Sequence, residues 1–219
     1  MAIDGPAGAG KSTLARRLAD KLGFLYIDSG AMYRAVALWA LRANVALDDM
    51  HRLEQLAAAA HITFAPGALT VRLNGDDVTE AIRTQEVADA ASRVSAIPAV
   101  RRALVAHQRS MSENASVVME GRDIGSVVFP DAEVKIFLDA RSQTRVDRRT
   151  AELAEADPLR IASEIEERDQ RDRNRADSPL VQAPDAHYID STGLTIDEVE
   201  ALLLKLVRAR TSNGKELAR

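Results

Sequence analysis

Cysteine is absent from the 219 residues, which excludes disulfides, thiolate metal sites and cysteine nucleophiles. The four histidines (His51, His61, His107 and His187) show no metal-ligand spacing and read as core or surface side chains. No apolar run approaches the roughly 18–20 residues of a membrane span, and no leader-like segment precedes residue 5, so a soluble, cytoplasmic chain without a membrane partner is expected. Basic excess is missing as well. The formal net charge is -4, whereas a dedicated nucleic-acid binder usually carries a basic footprint, and no nucleic-acid partner is expected. Lysine is scarce, five residues against 24 arginines. Genome composition explains that bias in an alanine-rich chain. A need for bidentate phosphate contacts explains it equally well, so position has to decide.

Against these absences stands one dense signal. Gly5-Pro6-Ala7-Gly8-Ala9-Gly10-Lys11-Ser12 fits G-x-x-x-x-G-K-[ST], the loop that wraps nucleotide phosphates. Its glycines let successive backbone N–H groups turn inward and form an anion nest. Lys11 adds a point charge toward the β- and γ-phosphates, and the Ser12 hydroxyl is a hard oxygen ligand for Mg²⁺. The helix starting near Lys11 directs its positive dipole end at the same phosphates. Ala2-Ile3-Asp4 is a short strand leading in, short enough that Met1 is expected inside the sheet. Leu14, Leu18 and Leu22 mark an amphipathic helix leading out. Gly23 ends it before a second strand, Phe24–Ile27.

A chain of this length with 46% hydrophobic residues can bury a core as one domain with insertions. Five candidate parallel strands lie near 2–4, 24–28, 117–120, 133–138 and 187–190, separated by helical patterns, as in an α/β doubly wound sheet. Helices are expected at about 31–43, 50–60, 84–114 with a break at Pro98, 143–156 capped by Ser142 and ended by Asp157-Pro158, and 159–173. Thr195–Glu198 is a capping-box sequence opening a last helix with Val199, Leu202, Leu203 and Leu206 inward, before a frayed tail from Thr211. Between the second and third strands, His61–Phe64, Pro66-Gly67, Leu69–Leu73 and Asn74-Gly75 read as antiparallel hairpins.

Ligands of such sheets collect at the carboxyl ends of the strands, and polar clusters stand there. Asp28–Arg34 suits an acceptor with a phosphate and a polar ring, or is a capped helix with an exposed Arg34. Glu120–Gly125 offers a carboxylate to orient Mg²⁺ or its waters, and Arg122 and Asp123 to clamp a phosphate and accept from an exocyclic amine. An ordinary salt-bridged turn is the alternative. In the run Glu166–Arg175, residues Arg168, Asp172 and Arg175 share a helix face and could bind phosphate and ribose hydroxyls. Pairs Glu164/Arg168 and Glu167/Arg171 support a solvated helix instead. Arg145 with Arg148 or Arg149 could close over phosphates as a lid, or lie at the surface. No D-x-x-G follows the third strand (Asp190–Gly193 lies beyond the fifth) and N-K-x-D is absent, against a GTPase switch.

Taken together, the chain closely resembles the bacterial cytidylate kinases. The similarity runs from IDGPAGAGKST at Ile3–Thr13, through DSGAMYR at Asp28–Arg34, IRTQEV at Ile82–Val87 and EGRDIGSVVFPDA at Glu120–Ala132, to ERDQRDRNR at Glu167–Arg175. The resemblance implies a P-loop kinase fold: a five-stranded parallel sheet with helices on both faces, a small antiparallel β insertion and a helical lid. It implies a core of 1–30, 84–140 and 176–219, an NMP-binding insertion at 31–83 with hairpins at about 61–78, and a lid with its flanking Arg-rich helix at 141–175. The implied reaction moves the γ-phosphoryl group of ATP to CMP or dCMP, with Mg²⁺, in a monomeric enzyme of pyrimidine metabolism. Gly5, Pro6, Ala7, Gly8, Ala9, Gly10, Lys11, Ser12 and Thr13 would hold ATP, with Mg²⁺ bound directly by Ser12 and through water by Glu120. Ser29, Tyr33 and Arg34 would lie at the CMP site, with Arg34 on its phosphate, and Ser92, Arg101 and Asp123 would read the cytosine edge. Arg122 and Arg175 would hold phosphates, and Arg168 with Asp172 would contact sugar and phosphate. Lys11, Arg122, Arg168 and Arg175 are the implied catalytic residues.

Overall fold

The computed structural model describes residues 1–65, 70–152 and 157–216, with side chains described up to residue 210. The expected turn at Pro66-Gly67 and the expected helix end at 153–156 lie outside the described residues. The strands are β1 (Ala2–Asp4), β2 (Leu25–Asp28), β3 (Ile62–Phe64), β4 (Val71–Leu73), β5 (Asp76–Asp77), β6 (Val117–Gly121), β7 (Lys135–Asp139) and β8 (His187–Asp190). The helices are α1 (Lys11–Leu22), α2 (Ser29–Arg42), α3 (Met50–Ala59), α4 (Gln85–Val94), α5 (Pro98–Ser110), α6 (Ser142–Glu152), α7 (Pro158–Asn174) and α8 (Ile196–Glu216). The protein is α/β, with a five-stranded parallel sheet in the order β2-β6-β1-β7-β8 and a separate three-stranded sheet β3-β4-β5. The chain forms two compact units, residues 1–24 with 118–219, and residues 25–117.

In the first unit β1 runs parallel to β6 on one side and β7 on the other, with Ile3 opposite Glu120 and Ile136. All three residues of β1 are buried, as a strand packed on both faces demands. β7 begins two residues later than the apolar pattern suggests, although Val134 already accepts a hydrogen bond from Ala2 N (2.9 Å). The backbone carbonyl of Met1 accepts from Met119 N, as expected of a residue inside the sheet. Helix α1 ends at Gly23, whose left-handed φ of 67° closes the C-cap. Helix α7 opens on the Asp157-Pro158 pair: Asp157 caps it by accepting from Leu159 N, and Pro158 occupies the first helical position.

Helix α8 opens on the expected capping box, Thr195 N donating to Glu198 (2.8 Å) and Glu198 N to Thr195 Oγ1 (3.3 Å). It runs past Thr211 to Glu216. Its inward stripe is Val199, Leu203 and Val207, whereas Leu202 is 40% exposed and Leu206 only half-buried, contrary to the apolar pattern. The flanking position goes to Glu200, buried because it pairs with both Arg17 and Lys21 of α1.

In the second unit the hairpin reading holds. β3 and β4 pair antiparallel, and β4 turns into β5 through Asn74 (φ 53°) and Gly75 (φ 95°), the two positive-φ positions of a tight hairpin turn. Helix α2 begins two residues earlier than its apolar pattern because Asp28 caps it, accepting from Ala31 N at 3.0 Å. The long helical stretch splits into α4, capped by Thr84, and α5, which starts on Pro98.

Candidate active site

The glycine-rich segment forms the loop between β1 and α1. Gly8 (φ 75°) and Gly10 (φ 91°) take left-handed backbone, which turns the chain back toward the helix start. Lys11 begins α1, is buried, and its Nζ donates to Pro6 O at 2.7 Å. Ser12 and Thr13 are exposed on the same turn. Burial, and next the Arg122 guanidinium, push the Lys11 ammonium well below the usual lysine range, with Arg168 adding to the effect. Glu120 and Asp4 oppose it. Three cations gathered in one partly desolvated place destabilise one another unless an anion joins them.

Glu120 is buried within β6, which extends one residue beyond the expected end. Arg122 follows it and donates from Nε to Asp172 Oδ2 (2.7 Å). Arg175 Nη1 lies 3.8 Å from the other Asp172 oxygen. Burial would raise the Asp172 carboxyl, but Arg122, Arg175 and Arg168 outweigh it and hold the group below the ordinary aspartate range. Arg168 and Asp172 stand one turn apart on α7, while Arg175, just past the helix rather than on the expected face, reaches the same carboxylate that Arg122 reaches from the end of β6. Elsewhere on this helix Glu164 pairs with Arg160, and Arg171 donates to the backbone oxygen of Glu167. Asp123 is buried directly after Arg122.

The second unit presents its own cluster. Arg34 donates to Asp28 Oδ2 (2.7 Å), so the capped-helix reading and the charged-site reading of this segment meet in one ion pair, with Arg34 largely covered rather than exposed. Ser29 and Tyr33 are buried on the first turns of α2. The Arg101 guanidinium lies over the Tyr33 ring, 5.4 Å from its centroid, and Nη1 donates to Ser95 O (3.2 Å). Ser92 is half-buried one turn earlier, its carbonyl accepting from Ser95 Oγ. A guanidinium on an aromatic face, 2% exposed, is a rigid polar fixture rather than a mobile surface arginine.

A model of one protein family, described as cytidylate kinase, matches residues 1–209. The chain belongs to the cytidylate kinase family. It is 61% identical to the cytidylate kinase of Solibacter usitatus, over 100% of this chain and 96% of the relative, and 52% identical to that of Pelotomaculum thermopropionicum, over 98% and 96%. Among solved structures, an uncharacterised protein from Eubacterium ventriosum matches with a TM-score of 0.50 at 12% identity, over 94% of this chain and 96% of that one, a likeness of fold alone. No described helix is long and apolar enough to cross a membrane.

This cytidylate kinase family member also carries polar residues that the motifs did not expose. Asp4, the last residue of β1, is buried and accepts from Ile124 N and Gly125 N, both at 2.7 Å. It thus ties the strand before the phosphate loop to the π-helical turn Ile124–Val128 that follows Arg122 and Asp123. Its only sequence signal is an acid in an otherwise apolar strand. Arg145 and Arg148 make inward contacts rather than lying free at the surface. Arg145 is buried against Asp169, and Arg148 donates to Ser191. Arg149 pairs locally with Glu152 on the exposed side.

Burial raises the Asp4 carboxyl from 3.8 to about 6, against the lowering effect of the two amides. The folded state therefore holds this proton more tightly than the unfolded chain. The gain is complete below about pH 4 and is lost as pH rises through 6. Asp4→Asn should remove this falling segment, about 3 kcal/mol, from the stability–pH curve. Denaturant melts of both proteins between pH 4 and 7 measure it, and equal slopes would exclude Asp4 as the source.

Proposed function

We propose that this chain transfers the γ-phosphoryl group of ATP to CMP or dCMP, giving ADP and the corresponding diphosphate, as a monomer in the cytoplasm. One observation carries the reading: Lys11 is buried at the phosphate loop with its Nζ on Pro6 O, while Arg122 and Arg175 converge on the one Asp172 carboxylate, an arrangement suited to bound phosphates. Full-length identity to cytidylate kinases supports the choice of acceptor. The nucleophile is a phosphate oxygen of the acceptor, already ionised near neutral pH because a phosphomonoester's second pKa is about 6. No side-chain base is required. Catalysis is then positioning and charge stabilisation.

The backbone amides of Gly8–Thr13 and Lys11 are assigned to the ATP phosphates. Arg122, Arg168 and Arg175 exchange the Asp172 carboxylate for phosphate oxygens, leaving Asp172 to the sugar hydroxyls. The hard oxygen donors fit Mg²⁺: the exposed Ser12 hydroxyl would hold it directly and the Glu120 carboxylate through water. When bound, the ion neutralises phosphate charge. In the second unit Ser29, Tyr33 and Arg34 are assigned to the acceptor nucleotide, Arg34 to its phosphate, and Ser92 and Arg101 to the cytosine edge. In the first unit Asp123 is assigned to the cytosine amine. Residues 31–83 serve as the acceptor-binding insertion and 141–175 as the lid.

An ADP-release assay across CMP, dCMP, UMP and AMP tests the reaction. CMP and dCMP should give the highest kcat/KM, and faster turnover of UMP or AMP would overturn the assignment. Asp123→Asn should lower kcat/KM for CMP by roughly 10–100-fold, the cost of mispairing one charged hydrogen bond. The KM for ATP should stay within about threefold. An unchanged preference for CMP over UMP would remove Asp123 as the reader.

A further inference from the structure

A phosphate loop grips its ligand with N–H groups, so its carbonyls face away and need donors of their own. Here those donors are side chains. Pro6 O accepts from Lys11, Ala7 O from Arg145 Nη1 at 3.0 Å, and Ala9 O lies 3.4 Å from Arg148 Nη1. Arg145 does more than satisfy a carbonyl. The same Nη1 is 2.5 Å from Asp169 Oδ2, and the other Asp169 oxygen accepts from Ala7 N at 3.3 Å. Ala7 is thus held at its C=O by a guanidinium from α6 and at its N–H by a carboxylate from α7, and the two charges are paired with each other. Arg145 Nε is anchored on Ala140 O (3.0 Å), just after β7. The next residue, Gly8, sits so close to α6 that a Cβ there would stand 3.0 Å from Arg145 O.

Arg145 and Asp169 are 6% and 3% exposed. A buried ion pair is seldom the most stable filling for its space, since apolar side chains of similar volume often do as well or better. Its placement around one loop residue points to orientation rather than stability. Asp169 also stands one helical turn from Asp172, the carboxylate that gathers Arg122 and Arg175. A small displacement of α7 is therefore felt at Ala7.

We propose that Arg145 and Asp169 are positioning residues of the donor site, a clamp on Ala7 that fixes the phosphate loop in its nucleotide-binding orientation and couples it to α7. The proposal rests on reading Gly5–Thr13 as the ATP-phosphate loop. Neither side chain touches the reacting atoms, so its effect falls on donor affinity first.

The test uses the full chain. Asp169→Asn should raise the Kd for ADP, measured calorimetrically, and the KM for ATP by about tenfold. The KM for CMP at saturating ATP should stay within about twofold. The double variant Arg145→Met/Asp169→Leu separates orientation from stability, because a merely structural pair is dispensable there. Weakened ADP binding in a double variant that melts at or above the wild-type temperature supports the clamp. Asp89→Ala, which removes an exposed hydrogen bond from Gln85 on α4, is the control and should bind ADP as the wild type does. If wild-type protein binds ADP and Asp169→Asn binds it equally well, the clamp alone is overturned. If the wild type binds neither ADP nor ATP, the phosphate-loop reading falls with it.

Discussion

Replacing Lys11 with alanine should lower kcat by about 10³-fold while the KM for CMP moves by less than about threefold. The charge that builds during phosphoryl transfer lies on the moving group and the leaving oxygen, and a preformed cation aimed there is worth roughly 10²–10³ in rate. Lys11 is preformed in this sense. It is buried, its Nζ is held by Pro6 O, and its environment of Arg122 and Arg168 makes it a poor host for its own charge until phosphate arrives. Binding energy stored this way is released on the phosphates and not on the acceptor nucleoside, so the loss should appear in kcat. Steady-state kinetics with CMP varied at saturating ATP measure both parameters. A variant within tenfold of wild-type kcat would remove Lys11 from the reaction.

Gly5→Ala should cost the first unit more than about 4 kcal/mol and leave little soluble protein. An alanine Cβ there would stand 1.9 Å from the Leu138 carbonyl oxygen, well inside van der Waals contact, on a backbone with φ of 147°. The obstacle is β7 backbone, which cannot swing aside as a flexible side chain could. The glycine cannot retreat either, because its neighbour Asp4 is paired with Phe137 in register and is tied to Ile124 N and Gly125 N. Gly23→Ala is the matching control. It too has positive φ, 67°, but nothing lies within 4 Å of its Cβ, so it should lose only the left-handed backbone penalty of about 1–2 kcal/mol. Denaturant melts of the two variants side by side give the comparison, and equal losses would show that contact with β7 is not the cause.

These two residues lie in the segment most legible in the sequence. Local rules sufficed wherever the determinants were local: the spacing of Gly5, Gly10 and Lys11, the capping box at Thr195–Glu198, the Asn74-Gly75 turn, and the strands named by short apolar runs. The nearness of Arg168, Asp172 and Arg175 was also visible from helical periodicity, although Arg175 falls just past the helix and their partner Arg122 was not signalled. The contacts of Asp4, Arg145 and Asp169 were illegible for a common reason. Their partners stand 120, 138 and 162 positions away along the chain, and no local pattern records a contact of that span. Leu202 misled in the opposite direction. Its helix face was sound, but a buried Glu200 paired with two cations displaced it.

The pairing of β1 carries a consequence for how the protein is made. Its three residues join partners at Met119–Gly121 and Lys135–Phe137, so the strand that supports the phosphate loop stays incompletely paired until both have been synthesised. At roughly 5–20 residues per second that wait lasts about 7–27 seconds, with one edge of Ala2 and Ile3 unpaired meanwhile. Residues 25–117, by contrast, form an uninterrupted stretch that can condense while the wait continues. Sheet closure around β1 is therefore a late event, governed by contacts of long sequence separation. The phosphate loop, slung from the end of that strand, takes shape only when translation of β7 is complete.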